Sequence, residues 1–357
     1  MRDNRSEIQP YITGRRSSSV KYAEKNKNKI HGERVVFPQK NEIEIEEFVL
    51  EEPQPDQVLI KTASTLISAG TELAFLRALP NTSGVYPMYP GYSNAGIVLS
   101  TGENVSKVKA GDRVVSRRNH ATHVLAAQNA VWRIPDGISF DEAAFFALGT
   151  IALQGVRKAK VELGDSVVVL GQGLVGSLAL QLAKLSGGLP VIGVDLYDYR
   201  LKIASNLGAD YVINPSETDL EKEVLEITRG KGASVVFEAT GMPEVIPTAL
   251  RLVGDYGRVI ILGSPRGESQ VNFYSEVHKK GVVVIGAHES RRPKYESFHG
   301  WWTQEDDTNL VLELLRRKRL LVKDLITLKM SFQNAREAYE KLMKSKERIM
   351  GIILTYD

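Results

Sequence analysis

Between Ser166 and Gly286 short apolar runs alternate with stretches of helical period. Ser166–Leu170, Pro190–Val194, Tyr211–Ile213, Ser234–Glu238, Arg258–Leu262 and Val282–Gly286 read as buried strands. Leu174, Val175, Leu178, Ala179, Leu182 and Ala183 repeat at helical spacing and predict a helix after the first of them. This alternation implies a parallel sheet with helices on both faces. Gly254 and Gly257 fit a turn before the fifth strand. Upstream the pattern is that of a β-rich unit. Val35–Phe37, Glu42–Leu50 and Gln57–Lys61 read as short strands, with Pro53 and Pro55 breaking the chain between the last two. Gly91–Ser100, Asp112–Ser116 and His123–Ala126 continue it, with turns at Gly102, Gly111, Pro135 and Gly137. A helix is expected over Asp141–Val156. After His288 the alternation stops. Thr308–Lys318 and Phe332–Ser345 read as amphipathic helices and Met350–Thr355 as a closing strand, which is expected to return to the β-rich unit.

The first strand of the alternating region runs into Gly171-Gln-Gly173-Leu174-Val175-Gly176, then the helix, then Val191–Val194 and Asp195. Strand, G-x-G-x-x-G, helix, strand and acid is the order a dinucleotide-binding βαβ unit needs. Gly171 allows the tight turn, Gly173 the approach of a pyrophosphate, and Gly176 the packing of helix on strand. The helix N-terminus offers free N–H groups to phosphate. Asp195, directly after the second strand, is placed to accept from the ribose hydroxyls and to repel a 2′-phosphate, so NAD is expected rather than NADP. Arg200 is either a contact to the adenine or a phosphate, or a solvated arginine in the next helix.

Composition narrows the picture. The 357 residues contain no cysteine, which removes disulfides, thiolate zinc sites and cysteine nucleophiles and fits a reducing cytoplasm. No apolar run reaches membrane-spanning length, and the N-terminus lacks a signal-peptide core. Net charge is +3, but residues 1–30 hold eight Lys/Arg against three Asp/Glu, so the rest is close to neutral and carries no nucleic-acid footprint. Residues 1–30 are read as a basic extension, either mobile or an arm anchored on a partner subunit by Tyr11, Ile12, Val20 and Tyr22.

Further motifs extend over nearly all of residues 33–357. They are Pro53-x-Pro55-x-x-Val58-Leu-Ile60, Ala69-Gly-Thr-Glu72, Gly91-Tyr-Ser-Asn-Ala-Gly96, Val108-x-Ala-Gly-Asp-Arg-Val114, Leu163-Gly-Asp-Ser-Val167, Leu207-Gly-Ala-Asp210 and Phe237-Glu-Ala-Thr-Gly241. With the glycine motif they resemble the medium-chain dehydrogenase/reductase superfamily, that of zinc alcohol and polyol dehydrogenases. The resemblance implies an α/β plus β fold: a GroES-like catalytic domain at 31–154 and 288–357, with a Rossmann doubly wound parallel sheet inserted at 155–287. It also implies an NAD cofactor, a small-molecule substrate in the cleft between the domains, and a homodimer or homotetramer. At the positions of the family's catalytic zinc ligands stand Ala69, Tyr92 and Ala147, and the cysteine-rich lobe for structural zinc is missing. Neither alanine can ligate, so no zinc is expected. The variant is similar to a zinc-free branch that includes bacteriochlorophyllide dehydrogenase-like proteins and enzymes near sugar metabolism.

The resemblance also distributes the chemistry. Tyr92, at a former metal ligand, either serves as acid/base or fills the vacated site. Thr71 matches a proton-relaying hydroxyl, or stabilises a turn. Glu72 orients Tyr92, binds a sugar hydroxyl, or caps a helix. His288 and His299 are the imidazole candidates for proton transfer. Trp301 and Trp302 offer a stacking face for a sugar ring, or serve as core or interface aromatics. Thr240, Gly263, Ser264 and Ala287 are placed near the nicotinamide and its ribose. His120 and His123, three apart, would point to opposite faces of one strand, and His31 and His278 read as surface residues. The expected activity is hydride transfer between nicotinamide and a secondary alcohol or ketone of a sugar, polyol or cyclitol. The alternatives are reduction of a quinone or enone with NAD(P)H, and a nucleotide-binding protein without catalysis.

Overall fold

The computed structural model of the chain describes residues 29–298 and 300–356. The expected N-terminal extension, apart from Lys29 and Ile30, lies outside the described residues, as does His299. Fifteen strands and nine α-helices are defined among the described residues. Strands β1 (Ile30–Val36) and β2 (Glu44–Leu50) form an antiparallel hairpin. Strands β3 (Gln57–Leu66), β4 (Asn94–Thr101), β5 (Arg113–Ser116), β6 (His123–Ala127) and β7 (Val131–Arg133) follow, with helix α1 (Ala69–Leu76) between β3 and β4. Strand β3 is the hub of this sheet. It is long and mostly buried, and register shifts at Leu59/Ile60 and Thr62/Ser64 let it pair with β4, β6 and a strand from the far end of the chain.

The helix expected over Asp141–Val156 is two helices, α2 (Phe140–Ala143) and α3 (Phe146–Ala159). Ser139 starts the first with a reciprocal capping box to Glu142. The break at Ala144–Phe145 is apolar and fully buried, so the hydrophobic period runs straight across it.

The second sheet is built from β8 (Val167–Leu170), β9 (Val191–Val194), β10 (Tyr211–Ile213), β11 (Ala233–Glu238), β12 (Val253–Ile261) and β13 (Val283–Gly286). Helices α4 (Leu174–Leu185), α5 (Asp198–Asn206), α6 (Leu220–Ile227) and α7 (Val245–Leu252) connect them. All pairings are parallel, in the order β10-β9-β8-β11-β12-β13. This is the doubly wound dinucleotide order, and it places the carboxyl ends of all six strands along one edge, where ligands of such sheets bind. The central strand β8 is at most 2 % exposed along its length. Burying each valine there contributes about 1.5–3 kcal/mol, which explains why an unbroken apolar run marks it in the sequence. Gly254 and Gly257 lie inside β12 rather than in a turn before it. A Cβ at either would collide with Lys231 O or with the Val253 side chain.

The chain then returns. Helix α8 (Gln304–Arg316) packs on α3, and β14 (Ile326–Ser331), α9 (Ala335–Lys344) and β15 (Gly351–Thr355) complete the first sheet. Its order is β14-β15-β3-β4-β5-β7, with β6 on β3. The expected closing strand therefore lies inside the sheet, between β14 and β3. No described helix is long and apolar enough to cross a membrane.

Candidate active site

The glycine motif leaves β8 at Leu170 and enters α4. Gly171 has φ +89°, and a Cβ on Gly176 would sit 1.8 Å from Gly171 O, so the turn and the helix touch through glycine. Gly173 caps α4 and faces open space. Leu174 is buried and Val175 half-buried in the first turn of α4. At the end of β9, Asp195 is 8 % exposed. Its Oδ2 accepts the Gln172 N–H (2.7 Å) and its Oδ1 the Tyr197 N–H (3.1 Å). Open space over an N-terminal helix turn beside a fixed carboxylate fits a dinucleotide. Arg200 is neither free in solvent nor extended over this space. It pairs with Asp195 Oδ2 at 3.5 Å, lies over the Tyr197 ring and donates to Lys346 O (3.0 Å).

Further along the same edge, Glu238 at the end of β11 is fully buried. Its Oε1 accepts from Thr240 Oγ1, Thr240 N (2.7 Å) and Gly241 N (3.1 Å), while Oε2 is buried without a partner. Burial pushes this carboxyl up, against the pull of those three donors. The Thr240 hydroxyl is thus turned onto Glu238. Gly263 packs against Gly241, Ser264 is exposed, and Ala287 is buried where its N–H bonds Ile261 O (3.0 Å).

Across the crevice, Tyr92 and Thr71 are brought together. The Tyr92 hydroxyl donates to Ser68 Oγ (2.5 Å) and lies 3.5 Å from Thr71 Oγ1. Burial is the largest influence on this phenol and raises its pKa above 10. The Ser68 and Thr71 bonds and the Arg117 charge work in the opposite direction. Arg117, just past β5, is held by Glu289 (2.7 Å) and by Thr150 Oγ1 (2.7 Å). A loop-to-loop contact closes this side of the crevice. Asn81 Nδ2 donates to Pro265 O (2.8 Å), and Arg266 Nη1 donates to Asn81 O (3.2 Å).

Several expected site residues are placed elsewhere. Glu72 is 1 % exposed and points inward, away from any substrate. Its Oε1 accepts the Ser68 N–H at the start of α1 (2.7 Å), and its Oε2 accepts from Tyr339 OH and from His120 Nε2 (3.0 Å). His120 Nδ1 meets Thr65 Oγ1 (2.7 Å), which in turn meets Tyr356 OH (3.1 Å). Of the three expected roles of Glu72, capping is the one the geometry retains. His120 precedes β6 rather than sharing a strand with His123. His288 is exposed and turned back on Ser290 (2.8 Å). Trp302 lies over Arg157 (3.8 Å) and Trp301 over Lys158 (5.5 Å), both on the last turn of α3. The cavity beside them measures about 10 Å³ and admits no sugar ring. Trp302 covers a cation of an ionic cluster in which Asp307 pairs with Arg157 and Arg292, each at 3.1 Å, while the Lys158 under Trp301 donates to Gly286 O. Burial pushes the Asp307 carboxyl up to about 6 despite both arginines.

A zinc site does not fit. Ala69 and Ala147 carry no donor atom, the Tyr92 hydroxyl is engaged by Ser68, and no three His, Cys, Asp or Glu among the described residues are grouped to hold a metal. Ser68, Tyr339, Glu238, Arg117 and Arg266 were not singled out by sequence, and His120 was weighed only in a pair with His123. Only Ser68 and Glu238 carry a local signal, by adjoining or belonging to motifs quoted above.

Comparison with known proteins agrees with the fold. Residues 54–131 match the alcohol dehydrogenase GroES-like domain, and residues 175–303 match the zinc-binding dehydrogenase family. D-guloside 3-dehydrogenase of Escherichia coli is 32 % identical over 68 % of this chain and 70 % of its own length. L-threonine 3-dehydrogenase of Pyrococcus abyssi is 30 % identical over 85 % of this chain and 92 % of its own. An Escherichia coli alcohol dehydrogenase structure complexed with NADH superposes with a TM-score of 0.80 at 20 % identity, covering 91 % of this chain and 99 % of that one. At that identity the superposition speaks for the fold.

Proposed function

The chain belongs to the medium-chain dehydrogenase/reductase superfamily, and on that premise we propose that it is an NAD-dependent, zinc-independent dehydrogenase interconverting a secondary alcohol of a sugar, polyol or cyclitol with its ketone. The observation that carries this reading is the Tyr92 hydroxyl. It is grouped with Thr71 and Ser68, while the matched ligand positions 69 and 147 hold alanines.

A bound nicotinamide gives or takes the hydride. The protein has to supply a proton to the carbonyl oxygen, or remove one from the alcohol. A tyrosine phenol is protonated at neutral pH and burial raises the Tyr92 pKa further, so it enters as the acid in ketone reduction. When its O–H turns to the substrate oxygen, the Ser68 hydroxyl is free to donate to the phenol oxygen in its place. Arg117 lowers the cost of the phenolate that remains. The sugar preference is supported by the likeness to D-guloside 3-dehydrogenase. Preference for NAD is supported by the Asp195 carboxylate, which would repel a 2′-phosphate. The cysteine-free composition supports action in the cytoplasm.

The test is turnover of a polyol, sugar and cyclitol panel with NAD and NADP, with metal analysis on the same sample. Ketone formation with NAD and substoichiometric zinc is expected. The Asp195→Ser variant, which leaves Arg200 without its carboxylate, is expected to shift the NADP/NAD preference about tenfold toward NADP, or ~1.4 kcal/mol. Stoichiometric zinc, or NADH consumption by quinones with no polyol turnover, would overturn the reading.

We also infer association through β13. This edge strand shows Val283 and Val284 51 % and 44 % exposed, beside the exposed rings of Phe273, Tyr274 and Tyr256. An open apolar edge of this kind is a template for pairing with a second copy. Light scattering is expected to give a dimer or tetramer, and Val284→Lys to lower its mass; a wild-type monomer would refute this.

A further inference from the structure

Arg266 stands at the carboxyl end of β12, in the loop that follows the strand. Its backbone N–H is fixed to Gly241 O (3.1 Å), in the turn beside the expected nicotinamide position. The side chain crosses the crevice to the catalytic side and spends one donor on Asn81 O. A guanidinium has five. Arg117, Arg157, Arg258 and Arg292, also partly buried, each have a carboxylate within 4 Å, and Arg113, which lacks one, lies over the Phe140 ring and donates to Ile138 O. Arg266 is half-buried and has none among the described residues. A charge drawn out of water without a counter-ion is costly, and a planar fork of free N–H groups matches a carboxylate or phosphate in two-point geometry. Asn81, the residue Arg266 reaches, lies in the loop after α1, the helix that carries Thr71 beside Tyr92.

We propose that Arg266 is an anion anchor that binds a carboxylate or phosphate on the substrate, so that the natural substrate is an acidic or phosphorylated polyol or sugar rather than a neutral one. This rests on the dehydrogenase reading above and narrows it. The anchor and Tyr92 would fix the substrate at two points, the anionic end and the reacting oxygen. Neutral polyols then enter with one point only and bind weakly.

The experiment measures binding to the full chain saturated with NAD, by calorimetry, with three probes: sorbitol, sorbitol 6-phosphate and L-idonate. At least one anionic probe is expected to bind tenfold or more tightly than sorbitol. Arg266→Ala is expected to erase that advantage while sorbitol and NADH keep their affinities within about twofold. Arg266→Lys is expected to keep part of it. Asn81→Ala, which removes the side-chain bond to Pro265 O but keeps the main-chain carbonyl that Arg266 donates to and leaves the charge, is expected to keep most of it. Equal binding of all three probes would overturn the proposal. So would an Arg266→Ala variant that weakens all probes alike, the mark of a clamp, or one that weakens NADH alone, the mark of a contact to the cofactor's phosphates. These are binding readouts, so the anchor is judged even if the panel shows no dehydrogenase turnover, and turnover of neutral polyols alone would sink the anchor while leaving the dehydrogenase standing.

Discussion

Tyr92→Phe is expected to lower kcat by about 10²- to 10⁴-fold, the usual worth of a positioned acid or base. The substitution removes one oxygen and leaves the ring, which packs against the central core. The lost bond to Ser68 costs about 1 kcal/mol of stability, too little to unfold the protein. NADH affinity should therefore stay within twofold, and the loss should fall on kcat rather than on cofactor KM. The pH profile gives a second readout. Burial holds the phenol above pH 10. Ketone reduction needs it protonated, so the reduction rate should be flat across neutral pH and fall only above 10. Alcohol oxidation needs the phenolate, so its rate should rise about tenfold per pH unit up to that range and lose this slope in the variant. If Tyr92 only fills the vacated metal position, both rate and slope will survive. An oxidation plateau near pH 7 in the wild type would direct the search to a histidine instead.

Glu72→Ala should be the most destabilising single change near the site. Glu72 accepts from Ser68 N–H, His120 and Tyr339, and all three donors lie in residues at most 4 % exposed. Truncation leaves them without an acceptor where water does not reach. Breaking one partner of such a buried set costs about 3–5 kcal/mol. Calorimetry should show Tm falling by roughly 5 °C, with a larger drop in the transition that carries the first sheet. Glu72→Gln retains an acceptor oxygen and should recover part of the loss. An alanine variant with unchanged Tm but lost turnover would restore Glu72 to the catalytic role that its inward position denies it.

The dinucleotide half of this molecule is legible in the sequence because its signals are local. A strand buried on both faces is written as an unbroken apolar run, and the turn glycines, one helix, one more strand and Asp195 follow it without interruption. The catalytic half is less legible because its contacts are distant. Glu72 on α1 meets His120 from the approach to β6 and Tyr339 from α9, so no window of sequence shows that its charge is spoken for. Trp301 and Trp302 have the composition of a sugar platform, yet the cations they cover lie on α3, before the whole second sheet in the chain. The break between α2 and α3 is hidden because Ala144 and Phe145 are as buried as their neighbours, and periodicity reports burial rather than backbone direction.

Strand β15 has a consequence for how the molecule is made. It is an interior strand of the first sheet, hydrogen-bonded on one side to β14 and on the other to β3, which comes from the opposite end of the chain. The six-stranded sheet has all its strands by Gly286 and can assemble as the ribosome delivers them. The crevice cannot. Until Gly351–Thr355 emerges, the Ser64–Leu66 end of β3 lacks its partner on the flank where β6 covers only Gln57–Lys61, and while everything from β4 to α9 is being translated that open end offers a binding site for chaperones.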